Sequence, residues 1–248
     1  MGLKNNKQLG QHWLKNRSIL DEIADLTGDG ELCVEIGPGL GTLTSSLLKR
    51  FDKVIAVEYD KRLAENLPKS FPGKNLEVIN ADILECDFGE LPKGYVVAGN
   101  IPYYITSPIL RKVLTLENLP ARVVLLMQKE VAERILDDKE TMLSLFVKNR
   151  ARAMAGPIVR KEEFTPPPKV DSQVIILEPH VPEVSDDVFG LIKVGFAAPR
   201  KKLVHNLAKI ASSEKISEVF NILGIDKDVR PGDLHLSDYA RIYHNLHE

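Results

Sequence analysis

Short apolar runs of strand length alternate with segments of helical spacing from residue 18 to residue 136. The apolar runs predict strands at 32–36, 53–58, 76–80, 95–99 and 122–127, and the segments around them predict helices at 18–26, 41–51, 61–70, 107–116 and 130–136. Strands that alternate with helices join in right-handed βαβ units. The pattern therefore predicts an α/β fold with a Rossmann-like, doubly wound, mostly parallel sheet.

The second half of the chain changes pattern twice. Two further strands are predicted at 154–160 and 173–177, joined by the proline-rich "FTPPPKVDS", as a hairpin-like end to the sheet. The polar segment 178–187 then indicates a linker. The segments that follow have helical spacing, at 188–196, 203–211, 216–223 and 238–246. We therefore expect a first domain over 1–180, with a basic arm at 1–17, and a small all-helical C-terminal domain over 186–248.

Composition is that of a globular protein, with 248 residues of which 44% are hydrophobic and 27% charged. No apolar run reaches the length of a membrane span, and the N-terminus has no apolar core typical of a signal peptide. Cys33 and Cys86 are the only cysteines, which predicts neither a disulfide framework nor a metal site. These features indicate a cytoplasmic protein that does not contact membranes.

Basic residues are segregated along the chain, although the formal net charge is only −2. The arm and the segment 195–209 contain no acidic residue, and their basic residues are Lys4, Lys7, Lys15, Arg17, Arg200, Lys201, Lys202 and Lys209. A segregated surface can bind a polyanion despite a nearly neutral total. We take Lys4, Lys7, Arg200, Lys201 and Lys202 as candidate nucleic-acid contacts.

The stretch "ELCVEIGPGLGTLT" predicts a strand that runs through a glycine-rich turn into a helix. Gly37, Gly39 and Gly41 give G-x-G-x-G, and glycine allows a tight turn with close approach of the backbone to a ligand. Such a turn at the carboxyl end of a parallel strand is typical of a nucleotide-like cofactor. A dinucleotide is the first alternative, but its fingerprint is G-x-G-x-x-G.

Acidic residues follow the next two strands. Glu58 lies 21 residues after Gly37, near the offset of an acid that binds a ribose, and Asp82 follows the third strand. Its carboxylate could accept a hydrogen bond from an adenine amine. Two acids at successive strand ends, together with the glycine turn, favour S-adenosylmethionine over a dinucleotide.

The fourth strand ends in "NIPYY", whose residue types suit a flat, amino-bearing ring. The Asn100 side-chain oxygen and a backbone carbonyl near Ile101–Pro102 can accept the two N–H bonds of an adenine amine, and Tyr103 offers a face for stacking. Proline fixes its own φ and so holds this carbonyl in place. Positioning accounts for most of the rate in such a site. The target base must be unpaired or flipped out of its helix.

With these motifs in place, the chain resembles the KsgA-type ribosomal RNA adenine dimethyltransferases over nearly its whole length. The blocks that carry the resemblance are "QLGQHWL", "EIGPGLGTLT", "VEYD", "NADIL", "GNIPYYITSPIL", "MQKEVAERI", "FTPPPKVDS" and "FAAPRKKLVHNL". The resemblance implies a class I methyltransferase fold. It also implies dimethylation of the N6 amines of two adjacent adenosines near the 3′ end of small-subunit rRNA, in ribosome biogenesis.

The resemblance also implies roles for single residues. It assigns cofactor contacts to His12, Leu14, Gly37, Gly39, Gly41, Glu58, Asp82, Ile83 and Asn100. Within this set, Glu58 binds the ribose and Asp82 the adenine, while Asn100 bridges the cofactor and the target amine. Tyr103 and Phe164 are expected to enclose the target base, with Pro102 in the catalytic set. It further implies S-adenosyl-L-homocysteine as the product and small-subunit rRNA in an assembly intermediate as the partner. A monomer is the default expectation for the oligomeric state. The chain departs from the family at His12-Trp13, where Asn-Phe is commoner.

Three alternatives use the same motifs. A large-subunit rRNA adenine N6-methyltransferase of the macrolide-resistance type shares the cofactor turn and an Asn-x-Pro-aromatic block, although "RPGDLHLSDYARIY" looks more like the small-subunit group. A non-catalytic assembly or transcription factor could reuse the fold, but it would have no need of the methyl-transfer residues. A DNA adenine methyltransferase is the third alternative, because contact with the ribose 2′-hydroxyl cannot be deduced from sequence.

Overall fold

The computed structural model describes residues 11–247, so the candidate contacts Lys4 and Lys7 lie outside the described residues. The described chain divides into two compact units. The first comprises residues 11–132 and 151–180, and the second comprises residues 133–150 and 181–247. No helix in residues 11–247 is long and apolar enough to span a membrane.

The first unit contains a parallel sheet with an antiparallel edge. Its strands are β1 (Trp13–Leu14), β2 (Gly30–Ile36), β3 (Phe51–Glu58), β4 (Leu76–Asn80), β5 (Val96–Asn100), β6 (Arg122–Gln128), β7 (Ala151–Val159), β8 (Phe164–Thr165) and β9 (Ser172–Pro179). The main sheet has seven strands in the order β4-β3-β2-β5-β6-β9-β7. Strands β4, β3, β2, β5 and β6 are parallel, and β9 runs antiparallel to both of its neighbours, β6 and β7. The predicted fold class is confirmed.

Helices flank this sheet, and most begin where the sequence predicts. They are α1 (Arg17–Thr27), α2 (Thr44–Leu47), α3 (Lys61–Asn66) and α4 (Thr106–Val113). A further helix, α5 (Lys129–Leu136), begins in the first unit and ends in the second. Helix α2 is much shorter than the predicted 41–51. The glycine turn extends to residue 43 and Phe51 already opens β3, so only one helical turn fits between them.

The core of the first unit lies on the central strands. Val124 and Leu126 of β6, with Ala98 of β5, have no exposed surface. Leu14, from outside the main sheet, is 1% exposed and packs into the same cluster. Strands covered on both faces consist of continuous apolar runs, which is why these segments were recognisable from sequence.

The strand order reverses between β2 and β5, and this position determines where the site forms. The chain goes from β2 outward to β4 and then returns to place β5 on the other side of β2. Ile36 is paired with Gly99 in parallel register, so the segments after both strands leave the same edge of the sheet side by side. Ligands of open α/β sheets bind at such a point.

The second unit is helical. Its helices are α6 (Met142–Lys148), α7 (Asp186–Gly195), α8 (Leu203–Leu207), α9 (Ser213–Leu223) and α10 (Leu236–His247). The sequence places residues 133–150 in the first domain, whereas the structure groups them with the C-terminal helices. Helix α6, which the apolar pattern did not reveal, starts with a reciprocal cap between Thr141 and Ser144.

The physical reason for this grouping is a set of polar contacts around Glu140, whose side chain is 2% exposed. Its carboxylate accepts hydrogen bonds from Lys148 Nζ at 2.8 Å and Ser144 Oγ at 2.6 Å, and lies 3.1 Å from His235 Nδ1. Its backbone N–H donates to the Gly232 carbonyl at 2.8 Å. These bonds join residues 133–150 to the segment before α10.

Candidate active site

A cavity of about 340 Å³ opens at the reversal point between β2 and β5 in the first unit. Its main lining segments are the arm at 11–14, the turn after β2, the ends of β3 and β4, and "NIPYY" after β5. Its volume lies within the range of small-molecule sites, about 300–1,000 Å³. The structure thus brings together the motifs that the sequence identified separately.

The glycine turn has the backbone that its sequence requires. Gly37, Gly39 and Gly41 have φ values of +64°, +58° and +80°, a region that favours glycine. Gly37 and Gly39 line the cavity. Gly41 does not, because it faces the opposite way, and a Cβ there would lie 2.6 Å from Leu67 Cδ1 and 2.7 Å from Phe71 Cε2. Its role is to pack the turn against α3 and the segment that follows.

Glu58 connects the end of β3 to the glycine turn. It is 6% exposed, and its Oε2 accepts a hydrogen bond from the Gly39 N–H at 3.0 Å. Its Oε1 accepts from the Asp60 N–H at 2.8 Å. Burial raises the pKa of Glu58, while the backbone donors of Asp60 and Gly39 oppose that effect. The carboxylate is therefore held rigidly at the cavity, and each oxygen keeps acceptor capacity for a ribose hydroxyl.

Asp82 and Ile83 follow β4 on the same side of the cavity. Asp82 caps a short 3₁₀ turn, because its Oδ1 accepts from the Leu84 N–H at 2.9 Å. Ile83, 5% exposed, forms an apolar wall beside it. An acceptor next to an apolar wall suits the amine edge and the flat face of an adenine.

Asn100 is fixed by the arm. Its Nδ2 donates to the His12 backbone carbonyl at 3.1 Å, and its Oδ1 accepts no hydrogen bond from a described residue. His12 is held in turn, since its Nδ1 lies 2.8 Å from the Pro166 carbonyl and donates to it. The structure therefore uses the backbone of residue 12 to orient Asn100, so histidine in place of the commoner asparagine leaves this contact intact.

Tyr103 and Pro102 form the substrate side. The Tyr103 hydroxyl is 2.8 Å from Ser172 Oγ, and the His12 and Tyr103 rings are stacked with their centroids 6.0 Å apart. Burial raises the pKa of Tyr103, which stays neutral. The Pro102 carbonyl accepts from the Ile105 N–H at 3.3 Å, so it shapes the turn as well as lining the cavity.

The structure does not bring Phe164 to the cavity. Strand β8 pairs with β1 in the register Leu14 to Phe164. This pairing directs the Phe164 ring into the core, where it is 2% exposed. The expected enclosure of a base between Tyr103 and Phe164 is absent from this arrangement, and Phe164 instead supports the arm beneath Leu14.

Several lining residues were not assigned from sequence, among them one carboxyl group and three aromatic side chains. Glu35 lies before the glycine turn, Trp13 is on the arm, and Tyr59 and Tyr104 are at the rim with 64% and 61% of their surface exposed. The only sequence signal for Tyr59 and Tyr104 is adjacency to Glu58 and Tyr103. Single exposed apolar side chains are common, but neighbouring ones that form a contiguous patch mark interaction sites, and Tyr59 and Tyr104 are neighbours. We infer that this tyrosine pair contributes to the cavity mouth.

The cavity's charges suit the cofactor expected from sequence. Its lining contains three carboxyl groups, on Glu35, Glu58 and Asp82, and neither lysine nor arginine among the described residues. Trp13 Nε1 is buried without a hydrogen-bond partner, and both Nε1 and Cδ1 lie 3.3 Å from where a Cβ on Gly39 would be. An unpaired buried donor is costly, so a ligand acceptor would compensate it. S-adenosylmethionine carries cations, hydroxyls, an amine and a carboxylate, which fit this set.

The nucleic-acid candidates of the second unit lie around the start of α8. Arg200 and Lys201 are exposed and make no ion pair with a described residue. Lys202 differs, because its Nζ is 2.6 Å from Asp228 Oδ1 and its charge is already balanced. The sequence could not distinguish Lys202 from its neighbours, since Asp228 is distant along the chain.

Known proteins resemble this chain over its full length. The family model for ribosomal RNA adenine dimethylase matches residues 2–248. A curated relative, ribosomal RNA small subunit methyltransferase A of Mycoplasma mycoides, is 34% identical, covering 97% of each chain. The solved dimethyladenosine transferase of Plasmodium falciparum has a TM-score of 0.79 at 29% identity, covering 93% of this chain and 96% of its own.

The solved 23S rRNA methyltransferase ErmE has a TM-score of 0.78 at 23% identity, covering 95% of this chain and 100% of its own. That likeness shows the fold alone and does not separate small-subunit from large-subunit enzymes. The family match covers residues 2–248, and the curated relative at 34% identity is named as a small-subunit enzyme. With the cofactor cavity and the ordered asparagine–proline–tyrosine tip, they show that this chain belongs to the ribosomal RNA adenine dimethylase family.

Proposed function

We propose that this protein transfers methyl groups from S-adenosylmethionine to the N6 amines of two adjacent adenosines near the 3′ end of small-subunit rRNA. The observation that carries the proposal is the orientation of Asn100. Its Nδ2 is bound to the His12 carbonyl, so its oxygen is the atom left to accept from a substrate amine.

The chemistry requires a positioned amine more than a strong base. S-adenosylmethionine supplies an activated methyl on a sulfonium sulfur. An adenine N6 attacks that carbon as the carbon–sulfur bond breaks, and N6 then loses a proton to water. An acceptor on N6–H keeps the amine nitrogen's lone pair directed at the methyl group. Asn100 Oδ1 performs this positioning, which is the main source of rate in such a site.

Tyr103 supplies the surface against which the base is held. Its hydroxyl bond to Ser172 fixes the ring, and the stacked His12 ring supports one side. Stacking of a base on an aromatic side chain contributes about 1–3 kcal/mol. The rate effect of Asn100 depends on this fixed plane, because a tilted base would move N6 away from the amide oxygen.

The finer parts of the proposal concern the substrate particle. Arg200 and Lys201 offer unpaired charge for phosphates, which position an RNA without reading its sequence. We propose that a monomer binds an assembly intermediate of the small subunit in the cytoplasm, where bacteria such as those of the curated relatives assemble ribosomes. Methyl transfer to under-methylated small subunits should exceed transfer to naked rRNA and to large subunits.

The decisive variant is Asn100→Ala. We expect methyl transfer to under-methylated small subunits to fall by about 10²-fold or more, as when a positioned hydrogen-bonding group is removed from an active site. Cofactor binding should persist, since Glu58 and Asp82 are intact. Trp13, the only tryptophan of the chain, lines the cavity and reports that binding through its fluorescence.

Two results would contradict the proposal. Undiminished transfer in Asn100→Ala would remove the role of the amide. Dimethylated adenines stop primer extension. If the wild-type protein restores this stop only in large-subunit rRNA, the result would instead favour the macrolide-resistance type of enzyme.

Ser172→Ala offers a comparison, because it removes only the hydrogen bond to the Tyr103 hydroxyl. It should reduce methyl transfer less than Asn100→Ala does.

A further inference from the structure

Tyr104 is an aromatic side chain at the cavity mouth to which the proposed reaction gives no role. It follows Tyr103 in a short 3₁₀ turn, and 61% of its surface is exposed. Hydrogen bonds fix the turn, from the Ile105 N–H to the Pro102 carbonyl at 3.3 Å and from Thr106 Oγ1 to the Tyr103 carbonyl at 3.1 Å. The backbone of Tyr104 is therefore held in place, although its ring is open to solvent.

The two consecutive tyrosines have different surroundings. The Tyr103 hydroxyl is bonded to Ser172, and the Tyr103 ring is stacked with that of His12. The Tyr104 hydroxyl has no hydrogen-bond partner among the described residues, and its ring is stacked on none of their rings. An aromatic face is thus available beside the ring that is proposed to hold the target base.

The charge of the mouth favours a base over a phosphate group as the ligand of this ring. Burial raises the pKa of the Tyr104 hydroxyl, and the Asp82 carboxylate and the Tyr59 hydroxyl add to that rise, so Tyr104 is neutral at neutral pH. The cavity lining contains carboxyl groups, but neither lysine nor arginine among the described residues. An RNA phosphate would meet no cation there, whereas an aromatic side chain can stack on any base.

The base beside a flipped target needs a new stacking partner. When an enzyme takes one base out of its stack, the stacking of that base on its neighbour is lost. The neighbour is left with one uncovered face, and the RNA backbone keeps it one nucleotide away from the cavity. An aromatic side chain at the mouth can replace the lost contact.

We propose that Tyr104 stacks on the base next to the target, which in the proposed substrate is the second of the two adjacent adenosines. Tyr103 holds the target inside the cavity, while Tyr104 holds its neighbour at the mouth. The inference rests on the proposed function, because it requires a flipped adenine in the cavity. It adds a subsite for a base that is not being methylated.

Small subunits that differ in one base test this inference. Under-methylated small subunits are reconstituted with a synthetic 3′ segment of rRNA. The segment carries either both adenosines or one adenosine beside an abasic nucleotide. Filter binding in the presence of S-adenosylhomocysteine gives the affinity of wild type and of each variant for the intact and the abasic particle.

Tyr104→Ala should bind the intact particle at least about fivefold more weakly than wild type, the lower end of base–aromatic stacking. On the abasic particle, the two proteins should agree within about twofold, the usual scatter for groups that do not interact. Comparing both proteins on each particle cancels any effect of the missing base on the RNA itself. The matched control is Tyr104→Phe, which keeps the ring and should bind both particles as wild type does.

Equal losses of affinity from Tyr104→Ala on the two particles would overturn the inference, and so would the absence of a loss on the intact particle. If Tyr104 covers the cofactor instead, Tyr104→Ala would weaken S-adenosylhomocysteine binding, read from Trp13 fluorescence, and would affect both particles equally.

Labelled methyl transfer from S-adenosylmethionine to the intact particle separates the two proposals. Transfer by the wild-type protein together with equal losses on the two particles would contradict only the role of Tyr104. Absence of transfer would contradict the proposed function and this inference with it.

Discussion

At the scale of single residues, Gly99 shows how closely β2 and β5 approach at the site. A Cβ at Gly99 would lie 2.6 Å from the Ile36 carbonyl oxygen and 3.3 Å from Ile101 Cγ2. Backbone atoms cannot move aside as a flexible side chain can. Glycine is required at this position by proximity and not by φ, because its backbone is extended.

We therefore expect Gly99→Ala to lower the free energy of unfolding by about 1–3 kcal/mol, the usual cost of overpacking. Urea unfolding of both proteins measures the change. Gly190→Ala is the matched control, because Gly190 lies within α7 and a Cβ there would meet nothing within 4 Å. That control should be neutral or stabilising by about 0.5–1 kcal/mol. Equal stability of Gly99→Ala and wild type would contradict the close approach.

At the same scale, the sequence pointed to lining residues that follow strands but missed one that lies within a strand. Glu58, Asp82 and Asn100 follow strands and carry recognisable chemistry, so position and residue type together indicated them. Glu35 lies within an apolar strand, where a carboxyl group has no distinctive neighbours in sequence. Only the fold shows that it faces the cavity and lacks a cation.

At the scale of elements, helix α6 illustrates what local pattern misses. The segment 133–150 has a short helix between polar turns, and its packing partners lie far away in sequence. Glu140 joins this segment to those partners. Its Oε1 lies 2.8 Å from Lys148 Nζ, within the segment, and 3.1 Å from His235 Nδ1, which is far away in sequence. A buried carboxylate with several donors stabilises the arrangement only while all of them are present.

Glu140→Ala should therefore lower the free energy of unfolding by about 3 kcal/mol, since it leaves Lys148 without its buried partner. Denaturant unfolding followed by circular dichroism measures it. The comparison variant is Asp228→Ala, which removes the exposed Lys202 pair and should cost less than about 1 kcal/mol. Equal effects of the two substitutions would show that the Glu140 contacts add nothing beyond a surface ion pair.

The arm is the other element that sequence left incomplete. Its pairing with β8 fixes both the His12 carbonyl, which orients Asn100, and the Phe164 ring, which the structure buries. The sequence supplied an aromatic residue before a proline run and suggested a stacking wall. The two antiparallel residue pairs between β1 and β8 instead direct the Phe164 ring into the core.

At the scale of the whole molecule, exposed basic side chains without ionic partners lie before α8. Arg200 and Lys201 are exposed without ion pairs to described residues, whereas Lys202 is balanced by Asp228. Exchanging both residues in Arg200→Ala/Lys201→Ala should reduce the slope of log affinity for small-subunit rRNA against log salt by about 1.5, because two phosphate contacts are lost. Filter binding across a salt series measures it.

The single variant Lys202→Ala is the matched control for this series. Its slope should change by less than half of the double-variant change, because the Asp228 carboxylate already competes for that ammonium group. If Lys202→Ala changes the slope more than the double variant does, the phosphate contact belongs to Lys202 and not to Arg200 and Lys201.

The pH dependence of stability also belongs to the whole molecule. Without cofactor, folded Glu35 keeps its proton up to about pH 8, while the unfolded chain loses it near the ordinary value of 4.5. Between these values the folded state binds more protons, so stability decreases as pH rises. We expect the stability of wild type relative to Glu35→Gln to fall from pH 5 to pH 8, measured by urea unfolding. A constant difference across this range would contradict a protonated Glu35.

The sequence by itself determined the alternating strands and helices, the glycine turn and the order of the site motifs. Each of these depends on periodicity or on backbone chemistry within a few residues. The tertiary structure decided which residues meet across β2, β5 and the arm, since those contacts depend on strand order and register. It buried Phe164, connected residues 133–150 to the helical unit and left Glu35 without a counter-charge, because packing partners distant in the chain determine burial.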